Sequence, residues 1–128
     1  MSEPHGSATA GVFGATFTGD STLVLQVGEQ SSGTSTVTLE SFSLNSASLE
    51  SLVSPLNAKP RGAQLPIVVS PGPATKVVFD LGPTELSEAQ RTRICGESVL
   101  YVASISDSLS GGQVSQVQGP AFTVSCLP

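Results

Sequence analysis

Apolar residues along this chain recur mostly at every second position, the period of a strand with one buried face. Leu23, Leu25 and Val27 alternate with Thr22, Val24 and Gln26, and Val77, Phe79 and Leu81 alternate with Lys76, Val78 and Asp80. Both runs predict strands whose odd-numbered side chains face a core. Val37 and Leu39 keep the odd phase, whereas Phe42 and Leu44 are even. A slip of one residue would turn one of these pairs into water, so the pattern predicts a β-bulge or a break at Glu40–Ser41. Val12 to Phe17 reads as a first strand weakened by Gly14, followed by a turn at Gly19-Asp20. Gly28 to Ser35 reads as a polar loop, and Leu65 to Val69 as a brief edge strand flanked by prolines. Val99 to Ile105 is apolar on both phases and predicts a central strand. Val114 starts the last strand, which is interrupted at Gly119-Pro120 and ends with Phe122 and Val124.

Helical signals are few. Leu49, Leu52, Val53 and Leu56 have helical spacing, but Pro55 and the serines restrict them to one turn or an irregular edge. Asn57 to Gln64 reads as an exposed loop. Gly82-Pro83-Thr84 predicts a stop, and Ser87 with Gln90 has the spacing of a capping box, which places one short helix within Thr84 to Arg93. Met1 to Ala10 has no periodicity and reads as a disordered tail or tether. The expectation is an all-β sandwich of about seven antiparallel strands over residues 11–128, with one short helix between the fifth and sixth strands.

Composition agrees with strands and turns: Ser and Thr fill 32 of 128 positions, beside 13 Gly and 9 Pro. The net charge is −5, and Glu3, Asp20, Glu29, Glu40 and Glu50 all precede the first base, Lys59. Five dispersed cations cannot form the basic stripe that displaces counterions from phosphates, which argues against nucleic acid as a partner. No apolar run approaches the ~20 residues of a membrane-spanning helix. The N-terminus lacks the basic and apolar regions of an export signal. It fits either a cytosolic chain or an exported one whose leader is replaced by a starting Met. The Lys-poor surface and the cysteine pair favour an extracytoplasmic location.

If the last two strands pair antiparallel so that facing numbers sum to about 221, Asp107 faces Val114, Val99 faces Phe122 and Cys95 faces Cys126. The cysteines would then lie on one face and form a disulfide closing ~31 residues, a stabilisation of about 3–4 kcal/mol. A buried free pair, or metal ligation joined by His5, are the alternatives.

Chemistry-bearing residues are sparse. His5 is the single histidine and sits in the expected tail. Gly96-Glu97-Ser98 lacks the closing Gly of a nucleophile elbow, and Gly111-Gly112 reads as a hairpin turn. Glu85, Glu88 and Glu97 read as solvated acids at a helix start and a strand start. Asp20, Asp80 and Asp107 are too scattered for a calcium loop. Trp is absent and Tyr101 falls on the central strand, leaving Phe13 and Phe17 as the aromatics with a chance of exposure. Lys59, Arg61, Arg91 and Arg93 read as scattered solvated charge, with a patch for an acidic partner as the alternative. No catalytic set, cofactor site or metal site follows from these residues.

The run Leu23 to Val27, a polar turn, Val37 to Leu44, then Leu65-Pro66, Pro71-Gly72 and Val77-Val78-Phe79 resembles the abnormal-spindle/hydin and major-sperm-protein type of immunoglobulin-like domain. The chain departs from it in Gly28-Glu29-Gln30, where an Asn-Gly type turn is usual, and in its added helix. The resemblance implies an immunoglobulin-like sandwich. With it comes the expectation of a non-catalytic extracytoplasmic module, interacting with another protein or an envelope component. The alternative is a carbohydrate- or small-ligand-binding module, dependent on calcium or not.

Overall fold

The computed structural model describes residues 1–11, 14–25, 34–62, 65–70, 72, 74–108, 111 and 113–127. These form two sheets and one helix. The first sheet has the order β10-β1-β2-β7-β5, built from β1 (Ser2–Gly11), β2 (Gly14–Leu25), β5 (Ala58–Pro60), β7 (Thr75–Leu86) and β10 (Ser125–Leu127). The second has the order β4-β3-β8-β9, from β3 (Ser35–Ser46), β4 (Ser51–Val53), β8 (Val99–Asp107) and β9 (Val114–Gln118). β6 (Ile67–Val69) lies beside the start of β3, on the edge that β4 occupies further along. The described residues thus hold ten strands rather than about seven, and α1 (Glu88–Gly96) connects β7 to β8.

One core fills the space between the sheets. Leu23, Val77, Phe79 and Leu81 enter from the first sheet, and Phe42, Leu44, Val99 and Tyr101 from the second. Phe42 meets Phe79 at 5.7 Å between ring centroids, and Phe17 meets Tyr101 edge-on at 6.4 Å. These contacts cross from sheet to sheet, so the odd-phase side chains of the sequence pattern do face a shared interior. Val27 lies outside the described residues.

The phase change in β3 is a bulge. Leu39 pairs with Ile105 and Ser41 with Ser104, leaving Glu40 as the extra residue that carries the chain from odd to even. Further along, β4 is the irregular edge expected of Leu49 to Leu56, and β6 the expected edge strand, with Val68 outward between buried Ile67 and Val69. β8 is central, flanked by β3 and β9.

Several expectations need correction. Residues 2–11 are no tail: β1 pairs antiparallel with β2 and parallel with β10. Its inward positions are small, Gly6 and a fully buried Ala8, so hydropathy along the sequence gives no sign of burial. A β-carbon on Gly6 would lie 3.0 Å from the Phe17 ring, which explains why so small a residue sits there.

Gly19-Asp20 is not a turn, and Gly82-Pro83 does not stop a strand. β2 runs through the first, and β7 absorbs the second as a bulge, since Phe17 pairs with Thr84 but Gly19 with Leu81. Gly82 has φ +85°, and its amide donates to the Asn57 carbonyl. A side chain there would meet the Phe17 carbonyl, so the position requires glycine for both conformation and space. α1 starts at Glu88, inside the expected stretch, and runs past Arg93 to Gly96. The Ser87–Gln90 capping box that opens it is formed in both directions.

Asn57 to Gln64 contains β5, paired with β7, rather than only a loop; Ala63 and Gln64 lie outside the described residues. Finally, the expected last strand is two strands. β9 pairs with β8 at a sum of 220, as in Ala103 with Val117, and the bridge Val99 to Phe122 restores 221. Ser106, not Asp107, therefore faces Val114. After Phe122 the chain crosses to the other sheet as β10.

Candidate functional site

Cys95 and Cys126 are disulfide-bonded, with 6.0 Å between α-carbons, inside the range such bonds require. The pairing is the expected one, but its setting differs. Cys95 lies in the last turn of α1 and Cys126 on β10, so the bond ties the helix to the edge of the first sheet instead of stapling a hairpin. Both residues pack half-buried against the core.

The outer face of the first sheet carries a row of charge across four strands. His5, Asp20, Asp80 and Lys59 occupy facing positions on β1, β2, β7 and β5. His5 Nδ1 donates to Asp20 Oδ1 at 2.8 Å. The Arg61 guanidinium bonds both carboxylate oxygens of Asp80, and these hydrogen bonds hold the Asp80 carboxyl below its ordinary pKa. Beside the row, Ser7 and Thr18 are joined by a hydroxyl contact of 3.3 Å. An open depression of about 410 Å³ lies over His5, Asp20, Ser7, Thr18 and Ser125.

The resemblance of this group to a triad stops at the imidazole. Among the described residues its hydrogen bond is to Asp20, and no serine hydroxyl bonds to it. His5 does have a second role through its main chain: the Tyr101 hydroxyl crosses from the core and donates to the His5 carbonyl at 2.6 Å. Burial, and secondarily the charge of Asp20, push the Tyr101 phenol well above its ordinary pKa.

The outer face of the second sheet is of a different character. A groove of about 320 Å³ crosses β3, β8 and β9 and is closed at one side by the β3–β4 turn. Ser43, Asn45, Ser104, Gln116 and Gln118 present hydroxyls and amides to it, Val102 lies beneath, and Leu49 stands at the rim. Among the described residues no charged side chain lines it. Sequence reasoning sought charged and aromatic groups and overlooked these. The available signal was the even phase of β8 and β9, where Val102, Ser104, Gln116 and Gln118 alternate with inward residues.

The other candidates remain apart. Glu85 and Glu88 are exposed, and Glu97 with Glu50 engages Arg93. The bond to Arg93 lowers the Glu50 pKa. Arg61 and Arg93 are thus occupied by acids of their own chain, while Lys59 is exposed and Arg91 half-buried on the helix. Asp107 accepts a hydrogen bond from Ser35. Phe17 is fully buried, and Phe13 lies outside the described residues. Gly111 takes φ +70° in the turn before β9, and Gly112 lies outside the described residues. Among the described residues no three of His, Cys, Asp or Glu converge as metal ligands, and no helix is long and apolar enough to cross a membrane. The chain matches no family model, no curated protein and no solved structure.

Proposed function

We propose that this is an immunoglobulin-like, non-catalytic interaction module that works outside the cytoplasm. The strand order supports the fold reading. β1-β2-β7-β5 opposite β4-β3-β8-β9 corresponds to the A-B-E-D and C′-C-F-G arrangement of such sandwiches, with β10 and β6 added. The disulfide supports an oxidising compartment.

The observation that carries the interaction reading is the edge of β9. Among the described residues β9 pairs on one side only, and its five residues, Val-Ser-Gln-Val-Gln, include no charge and no proline. Other edges are blunted: β5 carries Lys59 and Pro60, and β4, β6 and β10 are three residues each. An extended segment of a partner protein can continue the second sheet at β9 through main-chain hydrogen bonds.

A photo-crosslinking residue in place of Ser115, exposed on β9 and outside the face groove, tests this in an extract of the source cell envelope. The expected result is a discrete protein adduct that is absent when the probe replaces Thr92 on α1 and lost when Val114→Lys is added. Equal labelling from both positions would refute the edge as the contact.

A further inference from the structure

We propose that the groove on the outer face of the second sheet binds a neutral saccharide. The site is separate from the β9 edge, since it uses side chains on the face of the sheet rather than the main chain of its last strand. Its volume of about 320 Å³ is in the range of small-ligand sites.

The chemistry of the lining selects the ligand. The chain has fifteen charged residues, from five bases and ten acids; Glu29 lies outside the described residues, and none of the other fourteen lines this groove. An ion entering it would lose water and meet no counter-charge. A wholly apolar ligand would cover hydroxyls and amides without replacing their hydrogen bonds to water. A sugar satisfies both conditions. Each sugar hydroxyl donates and accepts, as do the serine hydroxyls, and the primary amides of Asn45, Gln116 and Gln118 offer one end of each kind. Val102 and Leu49 supply small apolar surfaces for the C–H faces of a ring.

The groove is also held in shape before any ligand arrives. The Ser43 hydroxyl donates to Asn45 Oδ1 at 2.8 Å, which turns the amide so that its N–H₂ is left to donate to a ligand oxygen. Ser43 and Asn45 stand on β3 opposite Val102 and Leu100 of β8, within a hydrogen-bonded ladder. Leu49 is fixed in a left-handed conformation, φ +70°, by the turn in which the Ser46 hydroxyl accepts from the Glu50 amide. Groups set on strands in this way lose little freedom on binding.

The test is an NMR titration of the intact protein with maltotriose, cellotriose, mannotriose and galactotriose at millimolar concentration, with trigalacturonate as the anionic comparison. At least one neutral trisaccharide is expected to shift the amide signals of Ser43, Asn45, Val102 and Gln116, and trigalacturonate is not. Asn45→Ala and Gln116→Ala, each with an otherwise unchanged spectrum, should weaken that binding about three- to tenfold, the worth of one hydrogen bond. The absence of shifts with all four, shifts mapping away from the groove, or an equal response to trigalacturonate would overturn the proposal. Loss of β9 crosslinking with saccharide binding intact would instead count against the edge alone.

Discussion

Replacing both cysteines, Cys95→Ala with Cys126→Ala, tests how the disulfide acts. The bond spans 31 positions, and loop-closure entropy for that length gives ~3.7 kcal/mol at room temperature. With an unfolding entropy near 2.1 cal/mol/K per residue over 128 residues, the midpoint should fall by about 14 °C. The structure adds a local expectation. β10 is three residues long and, among the described residues, pairs with Ser7, Ala8 and Thr9, so the sulfur bridge is a principal tie on this edge. Thermal melts by circular dichroism measure the global effect, and amide hydrogen exchange measures the local one. Protection should drop first at Cys126 and at the β1 residues beside it. Wild-type protein in reductant should behave as the double variant does. A midpoint within a few degrees of wild type would refute the entropic reasoning. A large drop with the β10 edge still protected would refute the local part.

Two further outcomes follow from Tyr101. The chain has one Tyr and no Trp, so phenolate absorbance reports this residue alone. Burial raises its pKa in the folded state above the ~10 of the unfolded chain. Its contribution to stability is therefore complete below pH ~10 and is lost as pH rises from there through the folded pKa. Ionisation should coincide with alkaline unfolding, and a native-state titration near 10 would contradict the burial. Gly19→Ala should destabilise by at least about 2 kcal/mol in urea denaturation, because the added methyl meets the Tyr101 hydroxyl and the His5 carbonyl that it bonds. Gly96→Ala, with nothing within 4 Å of the added carbon, is the control and should leave the midpoint nearly unchanged.

Local chemistry was legible where one signal had one local cause. Ser87 and Gln90 form their box because both partners are within a single turn. The bulge at Glu40 follows from two hydrophobic pairs of opposite phase within one strand. Signals that depend on distant partners were misread. Gly82-Pro83 reads as a stop from its own residues, yet β2 and Asn57 supply the hydrogen bonds that carry the strand past it. The groove was invisible for a related reason: serines, an asparagine and glutamines are ordinary solvated residues until three strands place them side by side.

The alternation of apolar residues by itself determined that this chain builds strands around a shared core, because burial on one face of a pleat requires every second side chain to avoid water. It also contained the pairing of Cys95 with Cys126, since there are only two cysteines to join. Which strand lies beside which was, apart from the antiparallel pairing of β8 with the strand that follows it, decided only by the tertiary structure. β1 has almost no hydrophobic signature, and it belongs to the sheet because Phe17, Phe122 and Tyr101, remote in the chain, leave a slot that only small residues fill. Close packing between distant segments is a property of the assembled core and is not written in any one stretch of sequence.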